Sequence, residues 1–277
     1  MTTTHFLALV CLACYLIASL AYLFSIARRA ATRLGRFASG CLVAGFILHT
    51  ILIFPFVQEQ EQLVPSQRGE YFFWLSWLLP CAFFLFKSKF GSPVLGAFLA
   101  PGVTLLFASS SYLMHRDTFS SIESNNPLLL MHVVPALLAE LSLIIVFIAS
   151  AAFLVQERRI KKKAAISVMS RGPSLEALDG MARRFVVVGF VSMGLAVLSG
   201  AMWAMLRHYS LFRNDFYQWA AIFTWVVLAS LLYLRVQLGW SPQRISRISL
   251  FLTGIFIAVF MTMALVGGNE FHLGYGV

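Results

Sequence analysis

The chain has 277 residues, 60% of them hydrophobic and 12% charged, with a net charge of +10. Its mean hydropathy is +0.82. A water-soluble domain carries about 25% charged residues, so this composition excludes a soluble globular protein and points to a polytopic membrane protein. The length suits about eight membrane helices of roughly 20 residues each, with no loop long enough for a soluble domain between them.

In chain order, the apolar runs predict spans over about 5–27, 37–57, 71–86, 93–112, 128–154, 184–206, 216–236 and 248–268. The first is read as a span, not a cleaved leader. Its apolar run is long, no basic segment precedes it, and Arg28 and Arg29 follow it. The third is the shortest, and Pro80 is expected to interrupt it. The fifth is long enough to tilt or to extend past the bilayer. The predicted architecture is a single all-α bundle over 1–277, with an N-terminal set of four helices (1–127) and a second set over 128–277.

Basic residues orient this path. The segments 28–36, 87–92, 155–183 and 237–247, with Arg184 and Arg235 at helix ends, hold 17 of the 21 Lys and Arg. The other side keeps Arg68, Arg116, Arg207 and Arg213, together with seven of the eleven acids. The positive-inside rule then places both termini outside. The Arg158-to-Lys163 run is read as a basic segment beside the lipid bilayer, not as a nucleic-acid site.

With orientation assigned, five histidines gather at the predicted outer face: His5, His115, His132, His208 and His272. Each alone reads as an interfacial polar residue. Their gathering suggests a metal or haem site. His49 lies deeper, on the second span, where a polar group faces a partner or a cavity. Glu140 lies near mid-membrane, eight residues after His132. It is read either as a functional carboxylate or as a protonated hydrogen bonder, neutral or paired with an Arg, His or Tyr. Cys11 and Cys14 have redox spacing but sit inside an apolar helix, and are read as small packing residues. There is no Cys-x-x-Cys-His, P-loop or dinucleotide fingerprint.

Several motifs occur in a recognisable order. Leu129-Leu130-Met131-His132-Val133 opens a helix that ends in Gln156-Glu157-Arg158-Arg159-Ile160-Lys161. Pro173-Ser174-Leu175-Glu176 follows, then Ser199-Gly200-Ala201-Met202-Trp203-Ala204, Thr224-Trp225 and Phe271-His272-Leu273-Gly274-Tyr275-Gly276. Together they resemble the cytochrome c assembly family of membrane proteins, which includes CcsA, CcmC and HemX-like members. The resemblance runs over about 130–277, and more faintly through His49 and Ser76-Trp77.

The resemblance implies a haem site at the outer face, with His132 and His272 as axial ligands. Trp203, Trp225, Phe212 and Asp215 would belong to the surrounding platform, and His49 to a deeper haem-related position. It also implies the inner (plasma) membrane of a bacterium, with a cytochrome c maturation subunit or apocytochrome c as partner. The chain departs from the family in its Trp-rich loop. There it reads His208-Tyr209-Ser210-Leu211-Phe212-Arg213-Asn214-Asp215, with only the acid in register and His208 as an added candidate ligand. Tyr233 stands where synthase-type members carry a histidine. It is read as a phenolate ligand or a hydrogen-bonded core tyrosine.

The function implied is haem presentation in support of cytochrome c maturation, as an assembly factor more than a stand-alone enzyme. Two alternatives stand beside it. One is a HemX-like regulator or stabiliser of tetrapyrrole synthesis. The other is a small-solute or ion transporter using Glu140, His49 and Tyr233 as a polar path.

Overall fold

A computed structural model of the chain describes residues 3–27, 31–60, 65, 67–90, 93–115, 127–162, 173–206 and 216–266. Those residues form eight α-helices: α1 (Thr3–Ala27), α2 (Ala31–Gln60), α3 (Arg68–Phe90), α4 (Pro93–Met114), α5 (Pro127–Lys161), α6 (Leu175–Leu206), α7 (Phe216–Val236) and α8 (Pro242–Val266). A bilayer admits helices and closed barrels, and each helix here satisfies its backbone polar groups within itself. Seven of the eight are long and apolar enough to cross a membrane; α3 is the exception. The protein is a multi-pass membrane bundle.

Several helices are longer than the apolar runs that predict them. α5 has 35 residues and continues through Arg158 and Arg159 to Lys161, a length of about 52 Å at 1.5 Å per residue. Its end is favourable for cations, because Lys and Arg there oppose the helix dipole. α6 begins at Leu175, nine residues before the apolar run. Ser174 sets that start, since its Oγ accepts the Ala177 N–H at 3.1 Å, the N-cap geometry. Pro80 does not interrupt α3, which runs unbroken for 23 residues around it. Pro55, Pro101 and Pro135 also lie inside helices. Neighbouring helices compensate for such prolines in membrane bundles.

Consecutive helices pack as pairs, α1 on α2, α3 on α4, α5 on α6 and α6 on α7. α1 also packs on α4, and α8 returns to α5. Small residues permit the closest approaches. A Cβ at Gly45 on α2 would fall 2.7 Å from the Tyr15 ring on α1, and one at Gly96 on α4 would fall 2.5 Å from Tyr22. The largest apolar core joins both halves, from Tyr15 and Leu42 through Phe72 and Phe107 to Ile145, Ala149 and Leu178. Bulky residues such as Phe54, Leu198 and Phe251 face outward, as a lipid-facing surface requires.

Two polar ties fix helix ends at opposite faces. Arg68 is buried at the start of α3 and donates to the Ala264 carbonyl near the end of α8, at 3.0 Å. At the other face, Arg235 of α7 forms a 2.5 Å ion pair with Asp179 of α6. The Arg68 end is the predicted outer face, and α5 begins there.

Candidate functional site

His132 lies in the second turn of α5, half-buried against α6. Its Nδ1 is 2.8 Å from the Ala196 carbonyl oxygen. A carbonyl only accepts, so Nδ1 carries the proton and donates, and Nε2 is left as the nitrogen with the lone pair. This is the common arrangement of metal-ligating histidines, in which a backbone carbonyl holds one nitrogen and turns the other toward the metal.

α6 is shaped around that ring. A Cβ at Gly200 would come within 2.9 Å of His132 Nδ1 and 3.0 Å of Cε1, so only glycine leaves the imidazole its place. The preceding Ser199 Oγ is 3.0 Å from the Met131 carbonyl on α5 and 2.7 Å from the Leu195 carbonyl on its own helix. Ser199-Gly200 thus holds both the backbone before His132 and the ring itself. Trp203 is half-buried one turn farther along α6.

Trp225 has different surroundings. It lies on α7, stacks on Phe190 with centroids 5.6 Å apart and rings 5° from parallel, and is 38% exposed. Its Nε1 passes beside Gly194. Gly194 and Gly200 are six residues apart, which puts them about 120° apart around α6. Trp225 and His132 therefore contact different faces of that helix. His208, Phe212, Asp215 and His272 fall outside the described residues.

His49 is fully buried within the α1–α4 group. Its Nδ1 pairs with the Tyr15 hydroxyl at 3.2 Å. Phe73 and Phe107 flank it, with ring centroids at 4.6 and 4.8 Å. Its Nε2 is buried and has no hydrogen-bond partner among the described residues. Tyr15, a tyrosine at the middle of an apolar helix, was not singled out from the sequence. Its polar hydroxyl at that depth was the available signal.

Glu140 is buried on α5, about 12 Å farther along the helix than His132. Tyr71, in the first turn of α3, lies within its electrostatic range. Tyr233 is not a core residue; it is 57% exposed on α7. The outward face of a peripheral helix gives it no buried partner to pack with. α7 packs on α6 and α8, whereas His49 is enclosed by α1, α3 and α4. His49, Glu140 and Tyr233 are not brought together.

A family model described as cytochrome C assembly protein matches residues 4–267. The chain belongs to that family. It is 21% identical over 255 residues to the cytochrome c biogenesis protein CcsA of Cyanidium caldarium, covering 81% of this chain and 83% of the relative. It is 25% identical over 233 residues to the CcsA protein of Prochlorococcus marinus (strain MIT 9313), covering 72% and 70%. Against the CcsA protein of Chlamydomonas reinhardtii the figures are 26% over 188 residues, with 65% of this chain and 52% of the relative. No solved structure matches the chain. Membership in the family supports a role in cytochrome c maturation, and the matched region takes in every helix of the bundle.

Proposed function

We propose that the protein binds haem at the outer face of a bacterial inner membrane and presents it for cytochrome c maturation, with His132 and His272 as the axial pair. The observation that supports this most is the fixed His132 ring. The Ala196 carbonyl selects its tautomer, and Gly200 and Ser199 hold its position, so the ring is oriented before any metal arrives. The donor set suits haem iron, which takes imidazole ligands readily. His272 follows the end of α8 by six residues, a reach of up to about 20 Å, and α8 packs on the helix that carries His132.

Bound haem would supply the iron and the vinyl groups that thioether attachment uses. The chain's own share is ligation, orientation and exclusion of water. Trp203 is the described aromatic closest along α6 to the His132 cradle, and Phe212, Asp215 and His208 belong to the adjoining loop. Trp225 would contribute from the α7 side, through its stack on Phe190. His49 acts as an interior polar strut paired with Tyr15, and aromatic rings occupy the space beside its imidazole. Glu140 is read as a neutral buried carboxyl in the neighbourhood of Tyr71. The apocytochrome, or a maturation subunit that holds it, would dock at the same outer face.

Deletion of the gene tests this reading. Covalent haem in c-type cytochromes, measured by peroxidase-active haem staining, should fall while non-covalent b-type haem stays level. An equal fall in both would favour a regulator of tetrapyrrole synthesis and contradict the proposal.

A further inference from the structure

His5 and His115 form a second imidazole pair, on different helices from His132. His5 is in the first turn of α1, and His115 directly follows α4. Their ring centroids are 5.8 Å apart with planes tilted by 55°, and both residues are exposed.

The pair closes a continuous seam between two antiparallel helices. Descending α1 from His5, Tyr15 meets Phe107 edge-on, with centroids 5.8 Å apart. Ser19 Oγ is hydrogen-bonded to Thr104 Oγ1 at 2.8 Å, and Tyr22 packs on Gly96. The contacts step down α1 as they step back along α4, so the seam fixes the register that places His5 beside His115. The pairing is therefore built into the helix packing.

The chemistry of the pair is also set. His115 Nδ1 is 2.8 Å from the Ser111 carbonyl oxygen, one turn earlier on α4. The carbonyl must accept, so Nδ1–H donates and Nε2 carries the lone pair. His5 makes no hydrogen bond among the described residues, which leaves its ring free to turn. A metal–imidazole bond of about 2.0–2.1 Å puts the metal roughly 3.2 Å from the ring centroid. Two imidazoles on one ion then have centroids about 5.2 Å apart at a tetrahedral angle and about 6.4 Å apart when opposed. The observed 5.8 Å lies between these values, so the ring separation is compatible with one shared ion.

We propose that His5 and His115 form a binding site for a borderline divalent transition-metal ion, of the copper, nickel or zinc type, at the ends of α1 and α4. Imidazole suits these ions. The two Nε2 atoms, or His5 Nδ1 with His115 Nε2, supply two ligands, and water completes the coordination at this exposed position. The ion clasps the end of the seam above the Tyr15–His49 pair. The site is independent of His132 and of haem.

The test uses the full-length protein without a histidine tag, stripped of metal by chelation and reconstituted in lipid nanodiscs, with Cu2+ as the probe. The expected result is one tight Cu2+ per chain whose electron paramagnetic resonance spectrum shows two coordinating nitrogens. His5→Gln and His115→Gln should each weaken binding at least about tenfold, since even loss of a supporting partner to a metal ligand costs 10–100-fold. His132→Gln should leave it unchanged. Both substituted positions are exposed, so circular dichroism should show intact helix in each variant. Retention of the two-nitrogen signal in either seam variant would overturn the proposal. So would its loss in His132→Gln, or the absence of a tight site in the unsubstituted protein.

Discussion

Gly200→Ala is the sharpest perturbation of the His132 cradle. The added methyl carbon would sit 2.9 Å from His132 Nδ1 and 3.0 Å from Cε1, several tenths of an ångström inside ordinary contact. The ring must turn away, because the other side of the clash is helix backbone. Turning breaks the 2.8 Å bond to Ala196, a loss of about 0.5–1.5 kcal/mol. Overpacking of the α5–α6 seam adds about 1–3 kcal/mol. The ligand nitrogen also loses its support, which lowers metal affinity by roughly 10–100-fold. Gly180→Ala is the matched control on the same helix, since a Cβ there meets nothing within 4 Å. It should be neutral or stabilise by up to about 1 kcal/mol. Thermal melts and the visible haem spectrum of both variants give the readout. If Gly200→Ala kept the melting temperature, haem content and spin state of its Gly180→Ala counterpart, the reasoning about the cradle would be refuted.

Other outcomes follow from the same geometry. Cysteines introduced at Ser66 and Ser167 should label from opposite sides of the membrane, and labelling of both from the periplasm would undo the orientation. Asp179→Asn and Arg235→Ala should be non-additive by about 1–3 kcal/mol in a double-mutant cycle, because the two side chains form one partly buried ion pair; additive effects would remove that pair from the account. Tyr15→Phe should cost about 1–3 kcal/mol by leaving His49 Nδ1 buried without its partner, with haem content unchanged. A loss of haem in Tyr15→Phe would assign the interior pair a role in binding it.

The bundle was legible in the sequence because apolar runs of membrane length are a strong signal. The helix ends were less so. α6 starts at the Ser174 cap, outside the apolar run, because hydropathy reports the bilayer and capping reports the helix. Pro80 suggested an interruption by soluble-helix reasoning, yet its neighbours in the bundle carry it. In the candidate site, His132 was singled out through its motif, but its packing against Ser199-Gly200 was not. That packing lies in contacts between residues 64 to 68 positions apart, and helix periodicity carries no information about which helix lies opposite. The same holds for Tyr15 with His49, 34 positions apart. Tyr233 looked like a core residue because α7 is apolar all round, and only its packing shows that the tyrosine faces outward.

The central claim concerns which atoms hold haem. Haem per chain, measured on the purified protein by its visible spectrum and pyridine haemochrome, tests it most directly when the native chain is compared with His132→Ala and His49→Ala. The account predicts about one haem per chain, most of it lost in His132→Ala and all of it kept in His49→Ala. Two haems per chain with one lost in His49→Ala, or an unchanged spectrum in His132→Ala, would contradict it.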